Sequence, residues 1–187
     1  MTFVVLYDAN VLYPSTMRDV LIRVAQLGVF QARWSEMILN EALGNLAKNR
    51  PDLSRDLLDR TRTLMNQAVP DCLIDGFEPL IEELNLPDAD DRHVLAAAIT
   101  GQARVIVTIN LKDFPSSELA RYGIEAKHPD AFLQDVIAVA GPRVRQAVTD
   151  AAAACRNPPL TPGDIIDRLE RDGMPISAAL LRGQVEH

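Results

Sequence analysis

The stretch Leu86–Phe114, LPDADDRHVLAAAITGQARVIVTINLKDF, places a group of acids before a helix and follows that helix with a short apolar strand. Pro87 cannot continue an earlier helix, and the run 94–99 has helical spacing, so a helix is expected to begin at the acids. At ~100° per residue, Asp91 falls on the apolar side of this helix, whereas His93 is expected to face water. The sequence therefore predicts an inward-facing carboxylate at a helix start.

The segment Arg104–Thr108, RVIVT, has the length and β-branched composition of a buried parallel strand, and its carboxyl end leads to Asn110 and Asp113. Acids in a first helical turn are often only dipole or capping groups, worth ~0.3–1 kcal/mol each, and Asp88 with Asp91 could be such a pair. Capping does not explain why the helix that these acids begin is followed by a strand whose carboxyl end also carries polar residues, Asn110 and Asp113. Buried carboxylates without cations are costly, so the cluster indicates a metal site.

The composition limits the classes of protein to consider. A chain of 187 residues, 48% hydrophobic, can form one α/β domain with an appendage. No apolar run approaches the ~20 residues of a membrane helix, and the start MTFVVLYDAN reaches a charge too soon for a secretory signal, so a soluble cytoplasmic protein is predicted. Cys72 and Cys155 are isolated, which argues against a zinc site or a disulfide framework.

The net charge of −7 argues against a broad basic surface that holds nucleic acid by counterion release alone. Total charge does not decide the question, however. Carboxylates that bind divalent cations lose part of their negative charge, and local arginines can still meet phosphate.

Two further acids lie where a site is expected. The segment Phe3–Tyr7, FVVLY, predicts a strand that ends at Asp8, before a helix from Val11 to Leu27. Ligands of open parallel sheets bind beyond the carboxyl ends of strands, although Asp8 or Asn10 could simply cap the helix. A helix capped by Ser35 carries Glu41 on the flank of its buried stripe, able to reach inward, and the alternative is a solvated side chain.

The remaining segments complete an α/β pattern and then leave it. The sequence predicts helices over 53–68, 78–84, 116–122 and 129–140, and short strands over 71–75 and 124–126. No strand signal returns after Gly141, so residues 141–187 are predicted to be a helical extension of a domain formed by residues 1–140. The apolar residues of the extension exceed what two short helices can bury, so they need the core, a second copy or another protein.

Alternating strands and helices predict a parallel sheet with helices on both faces. This fold brings Asp8 and Asp113 to one edge, where Asp91 and Glu41 could complete four carboxylates around one hollow. Oxygen ligands without His or Cys favour Mg²⁺ or Mn²⁺ over zinc. Phosphodiester hydrolysis is the reaction that such a site most naturally serves.

In order and spacing these motifs resemble those of the PIN-domain ribonucleases, and within them the VapC-type toxins of toxin–antitoxin pairs. The resemblance covers about residues 3–135 and rests on four motifs: LYDANVLYPS with Asp8, SEMILNEAL with Glu41, DADDRHVLAAA with Asp91, and VTINLKDF with Asn110 and Asp113. It implies a PIN-like three-layer α/β/α fold with a short central parallel sheet.

The resemblance also implies a catalytic and metal-binding quartet, namely Asp8, Glu41, Asp91 and Asp113. Asn110 looks like the polar residue that accompanies the last acid, and Asn10, Asp88 and Asp90 are accessory candidates, since any of the three clustered acids could face the metal. The implied cofactor is Mg²⁺ or Mn²⁺. The implied partners are an RNA substrate and a cognate antitoxin protein, with a homodimer as a further option.

Three other functions share features with this pattern. A phosphoaspartyl enzyme of the haloacid dehalogenase type would have a second Asp two residues after the first, where this chain has Asn10. A receiver domain expects a Lys at a separate strand end, whereas Lys112 lies within the LKDF motif. The remaining alternative is a catalytically silent PIN-like scaffold that binds protein or RNA, and the intact acids count against it.

Overall fold

The centre of the protein is a four-stranded parallel sheet, seen in a computed structural model that describes residues 2–183. Residues 184–187 of the predicted extension lie outside the described residues. The strands are β1 (Val4–Tyr7), β2 (Gln31–Arg33), β3 (Ala103–Val107) and β4 (Glu125–Lys127), in the order β2-β1-β3-β4. The predicted α/β class with a short parallel sheet is confirmed.

The register aligns the ends of the two central strands. Leu6 pairs with Ile106 and Tyr7 with Val107, so Asp8 and Thr108 follow their strands side by side. Asp8 N donates to the carbonyl of Val107 at 3.1 Å, which extends the pairing by one residue. The polar residues after β1 and β3 therefore meet at one edge of the sheet, as the sequence predicts.

Ten α-helices lie within residues 2–183: α1 (Ala9–Leu12), α2 (Ser15–Ala25), α3 (Glu36–Asn49), α4 (Arg55–Ala68), α5 (Glu78–Ile81), α6 (Arg92–Thr100), α7 (Ser116–Leu119), α8 (Pro129–Ala154), α9 (Pro162–Arg171) and α10 (Pro175–Gly183). The chain crosses the sheet in one direction from β1 to β2 and in the other from β2 to β3. Since such connections are right-handed, α2 and α6 lie on opposite faces. The strands thus form the middle of three layers.

One predicted helix is divided in the structure, and one predicted strand does not form. The helix expected from Val11 to Leu27 is two helices, because Pro14 lies between α1 and α2 and cannot donate a backbone hydrogen bond. The predicted strand over 71–75 is wrong, since that segment forms only an isolated bridge between Trp34 and Leu73. Strand β2 was not predicted, because three residues are too few to show an alternating pattern.

Helix α8 continues through the predicted end of the first domain. It runs to Ala154, with a non-helical backbone at Ala140 (φ −138°, ψ 33°) just before Gly141 and Pro142. Proline is tolerated in the first turn of a helical segment, so this pair permits a kink without ending the helix. The division into residues 1–140 and 141–187 stays a prediction, and its boundary falls at this kink.

The extension packs on the rest of the protein. Helices α9 and α10 contact α8, and α9 also contacts α2. The apolar side chains that face inward are buried in the common core: Ile165, Ile166, Leu169, Met174, Ala178 and Leu181. Ile176 and Leu180 stay exposed. The predicted need for another surface is therefore met largely by the core.

One buried carboxylate joins the extension to the core. Asp130 on α8 accepts hydrogen bonds from the backbone amides of Ile176 (3.1 Å) and Ser177 (2.8 Å), and so caps the start of α10.

Cys72 is buried and Cys155 partly buried, both as free thiols. No helix within the described residues has the length and apolar character needed to span a membrane.

Candidate active site

Asp8 is held rigidly at the carboxyl end of β1. It is 3% exposed, and one carboxylate oxygen, Oδ1, accepts from the amide of Ala9 at 2.7 Å. The other, Oδ2, accepts from Thr108 Oγ1 at 2.8 Å and from Asn10 Nδ2 at 3.0 Å. Burial raises the pKa of Asp8, although the hydrogen bonds from Thr108 and Ala9 oppose this shift. Asp8 is thus both a helix cap and a carboxylate fixed at the sheet edge.

Thr108 is a site residue that the sequence reasoning missed. Its fully buried hydroxyl donates to Asp8 and accepts from Asn10 Nδ2 at 3.0 Å and from the amide of Asn110 at 3.1 Å. Asn10 also accepts from the amide of Ile109 at 3.0 Å. These bonds clamp the ends of β1 and β3 together. The available signal was a hydroxyl residue closing an otherwise apolar strand.

Asp91 lies close enough to other acids for their charges to affect its pKa. It ends a short 3₁₀ turn before α6 and is partly buried. Its pKa is raised to about 7, first by burial and then by the charges of Asp8, Asp88, Asp113 and Glu41. The fold has therefore brought Asp8, Glu41 and Asp113 within electrostatic reach of Asp91.

The three clustered acids occupy different places. Asp91 lines a cavity at the sheet edge, whereas Asp88 and Asp90 are exposed and do not line it. Asp88 caps the 3₁₀ turn, because its Oδ1 accepts from the amide of Asp90 at 2.9 Å. The capping role considered for Asp88 is thus observed, with Asp90 as the donor.

Glu41 makes a contact that was not foreseen. His93 Nε2 lies 3.1 Å from Glu41 Oε2, and the His93 side chain is only 9% exposed, so the prediction that His93 faces water is wrong. The residues from His93 to Ala98 are all buried, because α6 packs against both β3 and α5. A helix enclosed on several sides has no water face for its periodicity to reveal.

The cavity at this edge has a volume of about 330 Å³. It is lined by Asp8, Ala9, Asn10, Tyr13, Glu41, Asn45, Asn49, Asp91 and Asn110. Asp113 does not line it and lies in the 3₁₀ turn Leu111–Asp113 beyond Asn110, although its charge raises the pKa of Asp91. The structure thus brings three predicted acids, with Asn10 and Asn110, onto one wall. Tyr13, Asn45 and Asn49 were not predicted.

The donors in this cavity fit a hard divalent cation. Mg²⁺ is bound mainly by oxygen ligands such as these carboxylates, and a bound cation would offset the repulsion that, after burial, raises the pKa of Asp91. Within residues 2–183, no group of three or more His, Cys, Asp or Glu side chains is arranged to enclose a metal ion. Mg²⁺ commonly takes one or two carboxylates and keeps several waters, so the cavity does not require such a cage.

Two family models and a curated relative match parts of this chain. The family model described as "PIN domain" matches residues 4–112, and the model described as "VapC50 C-terminal domain" matches residues 129–183. A relative from Mycobacterium tuberculosis (strain ATCC 25618 / H37Rv), named "Putative ribonuclease VapC50", is 42% identical over 94 residues, which is 50% of this chain and 55% of the relative. The chain thus spans about half the length of this curated relative. No solved structure matches.

Proposed function

Because the chain belongs to the PIN-domain family, we propose that it is a divalent-cation-dependent endoribonuclease that hydrolyses RNA phosphodiester bonds. One observation carries the proposal. Three carboxylates line a single cavity, Asp8 after a strand, Glu41 on a helix and Asp91 at a helix start, and burial together with repulsion from neighbouring acids raises the pKa of Asp91 to about 7. Such a cluster is costly unless a cation uses it.

The charge of the cavity makes a cation necessary for this chemistry. None of the described residues that line it is Lys, Arg or His. A phosphodiester would therefore meet only carboxylates and neutral groups. When bound, Mg²⁺ or Mn²⁺ would activate a water and stabilise the negative charge that develops on the phosphate. Asp8, Glu41 and Asp91, which line the cavity, would hold it together with bound waters, and Asp113, in the turn beyond Asn110, is the fourth proposed ligand.

The protein's own residues prepare the site for that reaction. Thr108 and Asn10 fix the orientation of the Asp8 carboxylate by hydrogen bonds to Oδ2. His93 Nε2 holds the Glu41 carboxylate by a hydrogen bond to Oε2. Asn110, whose amide is bonded to Thr108, lies on the cavity wall as a neutral polar group. Positioned ligands reduce the reorganisation needed when the charge develops.

The test is RNA cleavage by the purified protein with Mg²⁺ or Mn²⁺. We expect EDTA to abolish cleavage, and Asp8→Asn or Asp91→Asn to reduce it by more than the roughly 10–100-fold loss typical of residues that only support ligands. Asp90→Asn is the matched control, because Asp90 is an adjacent exposed acid outside the cavity. Cleavage that survives EDTA or Asp91→Asn would refute the assignment. RNA binding without cleavage would favour the silent scaffold.

As part of the same proposal, the protein is the toxin of a toxin–antitoxin pair that acts on RNA in the cytoplasm. The match of residues 129–183 to the VapC50 C-terminal model supports the assignment as a toxin. A cognate antitoxin is the expected protein partner, and a homodimer is the alternative assembly. Co-expression with a small protein encoded beside the toxin gene tests both, since light scattering of the purified product gives its mass. A chain that stays monomeric and does not bind that protein would contradict this part.

A further inference from the structure

The cavity has an uncharged half that the reaction leaves unused. Glu41, Asn45 and Asn49 follow one another at intervals of four residues, so they lie in a row on one face of α3. At 1.5 Å per residue this row extends ~12 Å from the acids. Tyr13 stands opposite its far end, where Asn49 Nδ2 donates to the Tyr13 hydroxyl at 3.0 Å.

We propose that Tyr13, Asn45 and Asn49 form a subsite for an unpaired nucleobase of single-stranded RNA, beside the phosphodiester that reaches the acids. This inference rests on the proposed ribonuclease function and deepens it by naming how the substrate is held. A nucleobase presents an aromatic face and an edge of hydrogen-bond donors and acceptors. A tyrosine ring and two carboxamides are complementary to those features.

The chemistry of the wall favours a base over a phosphate. The described residues of the cavity carry no positive charge, and the acids at its other end repel a second phosphate that has no cation beside it. Arg50, which follows Asn49, is already paired with Asp52 through Nε at 2.8 Å and Nη2 at 2.6 Å. Stacking and amide hydrogen bonds need no positive charge, so they suit a protein with a net charge of −7.

Tyr13 is placed as a fixed platform. Arg18 Nη1 donates to the carbonyls of Leu12 at 2.9 Å and of Tyr13 at 3.3 Å, which anchors the turn between α1 and α2. Pro14 further restricts this turn. The ring is only partly exposed and its hydroxyl is bonded to Asn49. A partly buried aromatic ring that is already oriented binds a base with little loss of conformational entropy.

The experiment measures steady-state cleavage of a short single-stranded oligoribonucleotide with Mg²⁺. Tyr13→Ala is expected to raise KM by about 5- to 100-fold, the range that corresponds to the loss of one stacked base, with a smaller change in kcat. Tyr13→Phe keeps the ring and should restore KM to within about threefold of the wild type. Asn45→Ala and Asn49→Ala should raise KM by less than Tyr13→Ala.

The controls separate recognition from folding. Tyr122→Ala removes a tyrosine that is 40% exposed outside the cavity, and Asn85→Ala removes an exposed asparagine outside it, so neither should change KM. Calorimetric Mn²⁺ binding and the melting temperature report whether Tyr13→Ala has disturbed the acids or the fold. A Tyr13→Ala variant whose KM is unchanged would overturn the proposal, whether or not its kcat and Mn²⁺ affinity fall.

A second measurement decides the proposal even if no cleavage is seen. Fluorescence anisotropy with the same labelled oligoribonucleotide is recorded in the Asp91→Asn background, where one repelling carboxylate is neutral. Loss of binding on Tyr13→Ala, with retention on Tyr13→Phe and weaker competition by duplex RNA, would support the subsite even if the chain is not a nuclease. Equal binding with and without Tyr13, or no binding of single-stranded RNA, would refute it.

Discussion

His93 Nε2 lies 3.1 Å from Glu41 Oε2 and joins helix α6 to helix α3 at the cavity edge. The Glu41 side chain is 43% exposed, so without this contact it would be free to turn into solvent. Within residues 2–183 the other ring nitrogen, Nδ1, is buried without a hydrogen-bond partner. One nitrogen of the His93 ring, Nδ1, thus stays unsatisfied, while the other, Nε2, holds the Glu41 carboxylate.

Replacing His93 should weaken the site more than the fold. His93→Leu fills the same space without a donor, so Glu41 loses its anchor, and we expect Mn²⁺ affinity and RNA cleavage to fall by roughly 10–100-fold. His93→Gln retains a donor and should keep more of both. Calorimetry and thermal melting measure the two effects separately. A leucine variant with wild-type Mn²⁺ affinity would show that Glu41 does not depend on His93.

The stability of the cation-free protein should fall as pH rises through the range in which Asp91 ionises. Burial and the neighbouring carboxylates raise the pKa of Asp91 to about 7, whereas an unfolded Asp titrates near ~3.9. Between about pH 4 and pH 7 the folded chain keeps a proton that the unfolded chain has released, so this group's contribution decreases with rising pH. The raised pKa of Asp8 acts in the same direction.

Asp91→Asn should therefore raise the melting temperature in EDTA at pH 8, with a gain that shrinks toward pH 5. The control is Asp90→Asn, because the Asp90 side chain is exposed and outside the cavity. Melting curves at pH 5, 6, 7 and 8 measure the trend. A gain that is the same at every pH would mean that Asp91 is not the group responsible.

Divalent cations should stabilise the fold through the same acids. A ligand at 100 times its Kd stabilises the native state by about 2.7 kcal/mol, which corresponds to a rise in Tm of roughly 5–10 °C for a chain of this size. Asp91→Asn should blunt the rise produced by Mg²⁺ or Mn²⁺. Differential scanning fluorimetry over a cation titration measures it, with Asp135→Asn as a control on the exposed side of α8. An equal rise in Asp91→Asn would exclude Asp91 as a ligand.

The hydrogen bonds from Asp130 should hold the extension in place. Asp130 is 6% exposed and accepts from the amides of Ile176 and Ser177, while Ser177 Oγ donates to its backbone carbonyl at 3.0 Å. Asp130→Ala should lower the free energy of unfolding by about 1–3 kcal/mol, because the buried amide of Ser177 and the partly buried amide of Ile176 lose their acceptor. Urea denaturation measures this loss.

Asp135→Ala provides the comparison on the same helix. Asp135 pairs with Lys127 at 2.6 Å on the exposed side of α8, and surface pairs contribute only about 0–1 kcal/mol. We expect a clearly smaller loss than for Asp130→Ala. Similar losses in both variants would show that the hydrogen bonds that Asp130 accepts from α10 add no more stability than the surface pair of Asp135.

Local pattern was sufficient to predict the sheet edge. The apolar runs of β1 and β3 are both followed by polar residues, and parallel strands bring such residues together whatever covers them. Pro87 and the clustered acids likewise predict where α6 begins, because capping and proline geometry act within a few residues. Asp8, Asp91 and Glu41 could therefore be identified from sequence as candidates for one site.

Features that depend on neighbours along the chain could be predicted before the fold was known: the central strands, the helix starts and the acids near them. Which side chains become buried, and which partners they meet, depends on how distant elements pack together. Three contacts at the site join residues at least 36 positions apart: His93 with Glu41, Thr108 with Asp8, and Asn49 with Tyr13. Burial and long-range hydrogen bonds arise from the packing of separate elements, so no local periodicity encodes them.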